Sequence, residues 1–475
     1  MGDPVFAYLS ASQKEFLRNL SDFVACRSVS TDTLYSDGMH DARTWLMNRL
    51  VTLGFDRVRL LTAGGQPAVA AEWIGAPHAP TFLIYGHYDV QPPDPLEMWT
   101  SPPFALTERD GRLYGRGVSD DKAPSLIAIE TLGAFLAVEG RLPVNVKLLL
   151  EGEEEIGSAS LPAILDRYRS ELKADAVLSA DGARWRADLP TVAISCRGNA
   201  GFEFSVKTAS KDLHSGRYGG VVPNALHVMA NLVASLHSPD GKIAVANFYD
   251  GVSDPTPAEK ATLAAIPFDE DAAYRSLGAS PAGEPGFTWL ERNWLRPSLD
   301  VNGLWGGYTG AGSKTVTPNE AFAKVTMRLV PGQDPAASLA AVIDHLKDRC
   351  PSGSSLTFTT SRGTSAAYSV PGNHPLLLAV ENALENTTGR RPVRVGIGAT
   401  LPIASMIAST LGLDTVMFSY STADEDYHAP NEFFRASAII EGFEGWVELL
   451  RRLGHQTRDT YLPFKRSEKI AADVG

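Results

Sequence analysis

The sequence predicts an α/β fold, in which a mostly parallel sheet is flanked by helices, with a second α+β domain inserted into it. Apolar, strand-like runs alternate with helical patterns over the first and last parts of the 475-residue chain. Polar residues follow the ends of those runs directly, as they do at the crevice of an open α/β sheet. Between these parts, strands with alternating apolar positions predict a sheet covered on one face. We therefore expect a first domain at residues 1–196 and 370–475, split by an inserted domain at 197–369.

The first domain begins with two predicted helices. Residues 11–26 and 40–53 carry apolar side chains at helical spacing, and Gly54 is predicted to end the second helix. A third helix is predicted over residues 123–138, where Pro124 suits the first turn. The apolar runs that predict strands lie at residues 57–61, 68–73, 81–85, 144–150, 175–179 and 415–420.

The inserted domain is predicted to pair an antiparallel sheet with helices on one of its faces. Its strands are expected at residues 201–208, 321–330 and 355–360, and its helices at 223–236 and 335–347. Within 321–330, alternate positions put Ala323, Val325, Met327 and Leu329 on one face, and Phe322, Lys324, Thr326 and Arg328 on the other. Residues 238–316 show weak periodicity and receive no assignment.

Composition excludes several classes of protein. The formal net charge of −12 argues against a nucleic-acid backbone as the main partner. No apolar run approaches the ~20 residues that span a bilayer, and the N-terminus lacks a signal-peptide pattern. The three cysteines are scattered without a CxxC pair, which is typical of a reducing compartment. We expect a cytoplasmic protein that uses neither a membrane nor a nucleic acid as a partner.

Five sets of polar residues follow predicted strands or precede a predicted helix. They are His87, Asp120, the glutamates within 151–155, Asp181 and His428. Two imidazoles with three or more carboxylates suit two borderline cations such as zinc, with manganese or cobalt as alternatives. One carboxylate must bridge the ions if they lie about 3.5–4 Å apart. A spare glutamate beside them would serve as a general base.

Five motifs carry a resemblance to a known family. They are GHYDVQP (86–92), GRGVSDDK (115–122), EGEEEIGS (151–158), DLHSG (212–216) and YHAPNE (427–432). Together they resemble metallopeptidase family M20, most closely its branch of carnosine-type dipeptidases and glutamate carboxypeptidase-like enzymes. The resemblance implies a catalytic α/β domain with a dinuclear, zinc-type site. It also implies that the inserted domain is a lid through which the protein forms a homodimer.

The resemblance assigns the metal ligands position by position. His87 and Asp181 would bind the first metal, and Glu155 and His428 would bind the second. Asp120 would bridge both metals, and the peptide bond that follows it is expected to be cis.

The acidic run can be aligned with the family in two registers. Matching Gly157-Ser158 to the family's closing Gly-Ser makes Glu154 the general base and acid, with Glu155 as the ligand. Asp89 would hydrogen-bond to His87 and hold its tautomer.

The resemblance also implies substrate contacts. His214 would reach the partner subunit's active site and stabilise the oxyanion, while Arg328 would bind the substrate's free carboxylate. Thr400 is a candidate substrate-binding residue in the segment Ile397-Gly398-Ala399-Thr400. This segment departs from the family, because an acidic residue that could contact a substrate amino group is replaced by Ile397.

The expected activity is hydrolysis of a peptide-type amide bond in a dipeptide or small peptide, by metal-activated water and a glutamate base. The missing acidic residue at Ile397 leaves open a second activity, the deacylation of N-acyl amino acids. A third possibility is a non-catalytic, dimeric binding protein on the same fold. That protein would have lost a ligand or the base, and none of these residues is missing.

Overall fold

The structure is a computed structural model that describes residues 2–360 and 364–466. The helices in these ranges are α1 (Pro4–Ala11), α2 (Gln13–Ala25), α3 (Ser36–Leu53), α4 (Ala123–Glu139), α5 (Leu161–Arg167), α6 (Ser215–Tyr218), α7 (Ala225–Ala234), α8 (Pro257–Ala264), α9 (Glu270–Leu277), α10 (Trp289–Trp294), α11 (Pro335–Arg349), α12 (Pro375–Thr388), α13 (Pro402–Leu411) and α14 (Ser437–Leu453). The strands are β1 (Asp56–Leu61), β2 (Ala68–Trp73), β3 (Thr81–His87), β4 (Thr107–Arg109), β5 (Arg112–Tyr114), β6 (Asn145–Glu151), β7 (Ala176–Ser179), β8 (Thr191–Cys196), β9 (Gly198–Lys207), β10 (Leu213–His214), β11 (Ser298–Gly306), β12 (Val316–Thr317), β13 (Glu320–Leu329), β14 (Ser355–Thr360), β15 (Tyr368–Ser369), β16 (Val393–Ile397), β17 (Thr415–Met417) and β18 (Phe433–Arg435).

The chain divides into two compact units. The first unit comprises Met1–Ile194, Val370–Val395 and Met406–Gly475, and the second comprises Ser195–Ser369 and Gly396–Ser405. The short segment Gly396–Ser405 thus groups with the second unit, although it lies in the sequence range expected for the first domain. The expected functional domains stay a prediction.

The first unit is built on a six-stranded sheet in the order β1-β2-β6-β3-β7-β17. Strands β6, β3, β7 and β17 pair in parallel, whereas β1 and β2 add an antiparallel edge. Residues 82–87 of β3 are all buried, as expected for a central strand covered on both faces. The predicted α/β class with a mostly parallel sheet is confirmed.

Helix α4 forms the centre of the helical layer in this unit. Every residue from Ala123 to Phe135 is buried, and α1, α3 and α14 contact the helix. A helix buried on all sides must be apolar all round, which explains its sequence. Helix α1 was not predicted; it is a separate helix before α2, begun by Asp3, whose carboxylate accepts hydrogen bonds from the Val5 and Phe6 amides.

The second unit contains an antiparallel sheet in the order β11-β13-β9-β14. Helices α7 and α11 pack against its apolar face, which includes the four β13 residues predicted to face the core. Strand β11 lies in the stretch that received no assignment. It is mostly exposed and changes register between Val301 and Gly303, so its sequence lacks a clean alternation. No helix among the described residues is long and apolar enough to cross a membrane.

Candidate metal centre

The ends of neighbouring parallel strands bring polar residues to one edge of the first unit's sheet. His87 is the last residue of β3 and lies in register with Glu151, the last residue of β6. Asp181 follows β7 by two residues. Because parallel strands end at the same edge, the sheet itself places these side chains together.

Asp120 links the two predicted histidine ligands. It lies in the loop before α4, and the Asp120–Asp121 peptide bond is cis, as expected. Its Oδ1 is 3.0 Å from His87 Nε2, and its Oδ2 is 3.1 Å from His428 Nε2. The same His428 nitrogen is 3.1 Å from Glu155 Oε2. Both oxygens of one carboxylate therefore face a histidine, as a bridging ligand requires.

The described residues include two clusters that could hold a metal ion. The first is His87, Asp120 and Asp181, and the second is Asp120, Glu155 and His428, with the ligand atoms of each cluster within 4.8 Å of one another. All five predicted ligands thus come together, and Asp120 belongs to both clusters. The donor set of imidazole nitrogens and carboxylate oxygens fits two borderline divalent cations.

Burial and neighbouring charges shift the pKa values of these groups in opposite directions. Burial opposes ionisation of Asp120, yet hydrogen bonds from His428 and His87 hold its pKa below the usual value. Hydrogen bonds to Asp120 and Glu155 raise the pKa of His428 to about 10. Burial raises the pKa of Asp181 to about 6, and it raises the pKa of Glu154 well above the usual value. In this centre, the protonation state of each carboxylate and histidine therefore depends on the charged groups next to it.

Glu153 is held by the protein itself. Its Oε1 accepts a hydrogen bond from the Gln66 amide at 2.8 Å. Its Oε2 accepts from the Ser160 amide at 2.9 Å and from Ser160 Oγ at 2.6 Å. A carboxylate with three such donors fixes local structure and is poorly placed to exchange protons with a substrate.

Glu151 and Glu154 differ in whether the protein donates hydrogen bonds to their carboxylates. Glu151 Oε1 accepts hydrogen bonds from Tyr85 Oη at 2.5 Å and from Ser158 Oγ at 3.0 Å, in a buried position. The Glu154 carboxylate, by contrast, accepts no hydrogen bond from any described residue. Of the three glutamates in the run that lie outside the metal clusters, Glu154 alone has a carboxylate free to act on a substrate.

Asp89 does more than hold His87. The His87 Nδ1 lies 3.1 Å from the backbone oxygen of Asp89 and 3.5 Å from its Oδ1. The Asp89 carboxylate accepts hydrogen bonds from the backbone amides of Glu154, at 3.2 Å, and Glu155, at 3.1 Å. Gln91, which the sequence reasoning missed, donates to Glu155 Oε2 at 2.8 Å. Its place in the GHYDVQP motif was the available signal.

The second unit contains the candidate substrate contacts Arg328 and Thr400, which meet through a 2.7 Å hydrogen bond from Arg328 Nη1 to Thr400 Oγ1. Arg197 was missed by the sequence reasoning; its Nε donates to the Gly398 oxygen at 2.7 Å. Burial, together with the like charge of Arg328, lowers the pKa of Arg197 to about 10. Neither arginine forms an ion pair with a carboxylate of the described residues. The charge of Asp300 partly opposes the lowering of the Arg197 pKa. Two close cations without an ion-pair partner suit an anionic ligand.

His214 is the last residue of β10, within the second unit. Its side chain is exposed, and its Nδ1 accepts a hydrogen bond from the Gly216 amide at 3.0 Å. This bond assigns the proton to Nε2, which leaves an N–H group free to donate to a ligand.

Comparison with known proteins identifies the family. The sequence profile described as Peptidase family M20/M25/M40 matches residues 83–452, which is most of the chain. The chain belongs to this family. The predicted family and its enzyme class, a metallopeptidase, are therefore confirmed.

Several relatives in the M20 family are similar over most of their length. The Beta-Ala-His dipeptidase of Homo sapiens is 30% identical over 93% of this chain and 90% of that protein. The Cys-Gly metallodipeptidase dug1 of Schizosaccharomyces pombe is 27% identical over 93% of this chain and 96% of that protein. The crystal structure of human carnosine dipeptidase 1 superimposes with a TM-score of 0.78 and 29% identity, over 95% of this chain and 98% of that one.

Proposed function

We propose that this M20 protein hydrolyses the amide bond of dipeptides that carry a free terminal carboxylate. Two full-length relatives are named as dipeptidases, one for Beta-Ala-His and one for Cys-Gly. The two metal-ion clusters support the hydrolytic chemistry, and Arg328 is the predicted contact for the substrate carboxylate. The named relatives favour this activity over N-acyl amino acid deacylation.

The observation that carries the proposal is the hydrogen bonding within the acidic run. Glu151 and Glu153 are held by hydrogen bonds from the protein, and Glu155 lies beside His428. Glu154 remains as the general base, adjacent in sequence to a predicted ligand and positioned by the contact of its backbone amide with Asp89. This hydrogen bonding supports Glu154 as the base without reference to the alignment of the motif.

The predicted ligands would hold two divalent ions, with His87 and Asp181 on one, Glu155 and His428 on the other, and Asp120 on both. We propose zinc, with manganese or cobalt as alternatives, because imidazole and carboxylate donors suit all three. When bound, the ions would polarise the scissile carbonyl and lower the pKa of a coordinated water.

The side chains of the protein would supply proton transfer and positioning. Glu154 would take a proton from the attacking water as the oxygen–carbon bond forms. It would return that proton to the nitrogen as the carbon–nitrogen bond breaks. Arg328 and Thr400 would bind the substrate carboxylate, and the Nε2–H of His214 would stabilise the oxyanion in the partner subunit's active site.

We also propose a cytoplasmic homodimer formed through residues 197–369, the predicted lid. The edge strand β11 supports this, because Val301, Leu304 and Trp305 on it are each more than a third exposed. Apolar side chains on a sheet edge are typical of an interaction surface. Light scattering should give twice the chain mass, and Leu304→Glu should shift the protein towards monomer. A monomeric wild type at micromolar concentration would contradict the dimer.

The test of activity is a substrate panel measured with added Zn²⁺, Mn²⁺ or Co²⁺. It compares the dipeptides Cys-Gly and β-Ala-His with their C-terminal amides and with N-acetyl amino acids. We expect metal-dependent cleavage of the free dipeptides and much slower cleavage of the amides. Activity confined to the N-acetyl compounds would instead support the deacylase, which the apolar Ile397 favours. A protein that binds metal but cleaves none of them would contradict the proposal.

A further inference from the structure

The buried carboxylate of Glu432 joins two loops that carry predicted metal ligands. We infer that Glu432 is a positioning residue, whose carboxylate fixes the backbone that presents Asp120 to both metal clusters. The inference rests on the proposed metal centre but concerns a residue outside it. Glu432 is 1% exposed and belongs to neither cluster of candidate ligands.

Both oxygens of this carboxylate are fully engaged. Oε2 accepts hydrogen bonds from Arg116 Nη1 and from the Gly117 amide, each at 2.7 Å. Oε1 accepts from the Ser119 amide at 2.9 Å and from the Asp120 amide at 3.2 Å. Three backbone amides of one short loop therefore converge on one side chain, and the last of them belongs to the predicted bridging ligand.

The convergence joins distant parts of the sequence. Glu432 follows His428 by four residues and precedes β18, which pairs with β5 just before the Asp120 loop. Arg116 strengthens the same junction, because its Nη2 donates to the Ala429 oxygen at 3.0 Å. The loop of Asp120 and the loop of His428 are thus held to each other through Glu432 and Arg116.

The loop has no alternative partner for these amides among the described residues. Buried N–H groups without acceptors are costly, so the loop keeps this conformation only while a carboxylate oxygen faces each pair of donors. A glutamine has the same shape, but one end of its amide is an NH₂ group. In either orientation, that NH₂ group would face two donors, and the loop would have to move.

The test measures metal affinity rather than turnover. Glu432→Gln and wild type are stripped of metal and titrated with Co²⁺ against a competing chelator, with the absorption of bound Co²⁺ as the signal. Loss of a residue that orients a ligand typically weakens metal binding about 10–100-fold, and we expect a loss of this size. Because Asp120 belongs to both clusters, both binding steps should weaken.

The matched control is Glu381→Gln. Glu381 is equally buried in the first unit and forms ion pairs with Arg391 and Arg394, but it contacts no predicted ligand. The Glu381→Gln substitution should lower the unfolding temperature of the protein but leave its Co²⁺ affinity at the wild-type value. Equal loss of affinity in both variants would show a general effect of lost stability and overturn the inference.

A second variant keeps the test decisive if Glu432→Gln does not fold. Arg116→Lys keeps the positive charge but replaces the two nitrogens that donate to Glu432 and Ala429 with one ammonium, so it should weaken Co²⁺ binding to a smaller extent. Wild-type affinity in every folded variant of this junction would overturn the inference. Failure of wild type itself to bind Co²⁺ would instead contradict the proposed metal centre, which separates the two outcomes.

Discussion

Replacing Glu154 with glutamine should separate catalysis from structure. The Glu154 carboxylate accepts no hydrogen bond from the described residues, so its neutral isostere leaves no donor of the protein unpaired. It also replaces an ionisable group whose charged form is disfavoured by burial and by the nearby Asp181 and Asp120. The free energy of unfolding of the metal-free protein should therefore stay the same or rise.

Turnover should respond in the opposite way. A positioned acid or base typically contributes about 10²–10⁴ in rate, which corresponds to about 3–5 kcal/mol of activation free energy. We expect kcat for a cleaved dipeptide to fall by this factor in Glu154→Gln, with metal content unchanged. Steady-state kinetics and elemental analysis of the same sample measure both quantities.

Glu153→Gln is the matched comparison. Its carboxylate accepts hydrogen bonds from Gln66 and Ser160, and the amide of glutamine cannot accept them all. A lost hydrogen bond to a charged group costs about 1.5–3 kcal/mol, so this variant should be destabilised by about that amount. Its kcat should stay within a few-fold of wild type. Retained turnover in Glu154→Gln, or a greater loss in Glu153→Gln, would refute the assignment of the base.

Three further predictions concern other parts of the protein. Arg197→Met should raise the inhibition constant of a free amino acid product by about tenfold or more, because a hydrogen bond to the product's carboxylate is lost. The inhibition constant of the corresponding amino acid amide should stay nearly unchanged. Equal changes for the two compounds would argue against an anion site. The Nδ1 of His374 caps α12 by accepting a hydrogen bond from the Leu376 amide, and burial lowers the pKa of this histidine. Its contribution to the free energy of unfolding is therefore complete above the unfolded-state pKa of about 6.5 and is lost as pH falls through the folded-state pKa. With chelator present, wild type should lose stability below about pH 6.5 more steeply than His374→Asn, which keeps a capping side chain; parallel curves would contradict this. Chelation of wild type should abolish turnover and lower the unfolding temperature, and Zn²⁺, Mn²⁺ or Co²⁺ should restore both; undiminished turnover in chelator would refute the metal centre.

The fold was predictable wherever one periodicity dominated the sequence. Strand β3 is a continuous apolar run because it is buried on both faces, and β13 alternates because only one face meets the helices. Strand β11 escaped prediction, since it is an exposed edge with a change of register. Helix α1 escaped because its end, at Ala11, is separated by a single residue from the start of α2 at Gln13.

The candidate ligands were predictable because the sheet itself brings strand ends together, and the motifs named which residue lies at each end. Their supporting contacts were not, since hydrogen bonds between distant segments leave no mark on local periodicity. Glu153 and Glu154 are adjacent and chemically identical, and the contacts of Glu153 with Gln66 and Ser160 distinguish their carboxylates. Arg197 is likewise recognisable as a candidate anion contact only because it lies close to Arg328 of β13.

The charge balance of the metal centre explains why these side chains belong to an enzyme rather than to a non-catalytic binding protein. Asp120, Glu155, Asp181 and Glu154 are four carboxylates, faced by two imidazoles, and burial raises the pKa of the last three carboxylates. Like charges so close together repel strongly where water is scarce, and neutral substitutes would relieve that repulsion. Two divalent cations would offset the repulsion and would use Asp120, Glu155 and Asp181 as ligands. A protein that no longer bound metal would gain stability by losing Glu155, Asp181 or Glu154, so their joint presence favours a working metallopeptidase.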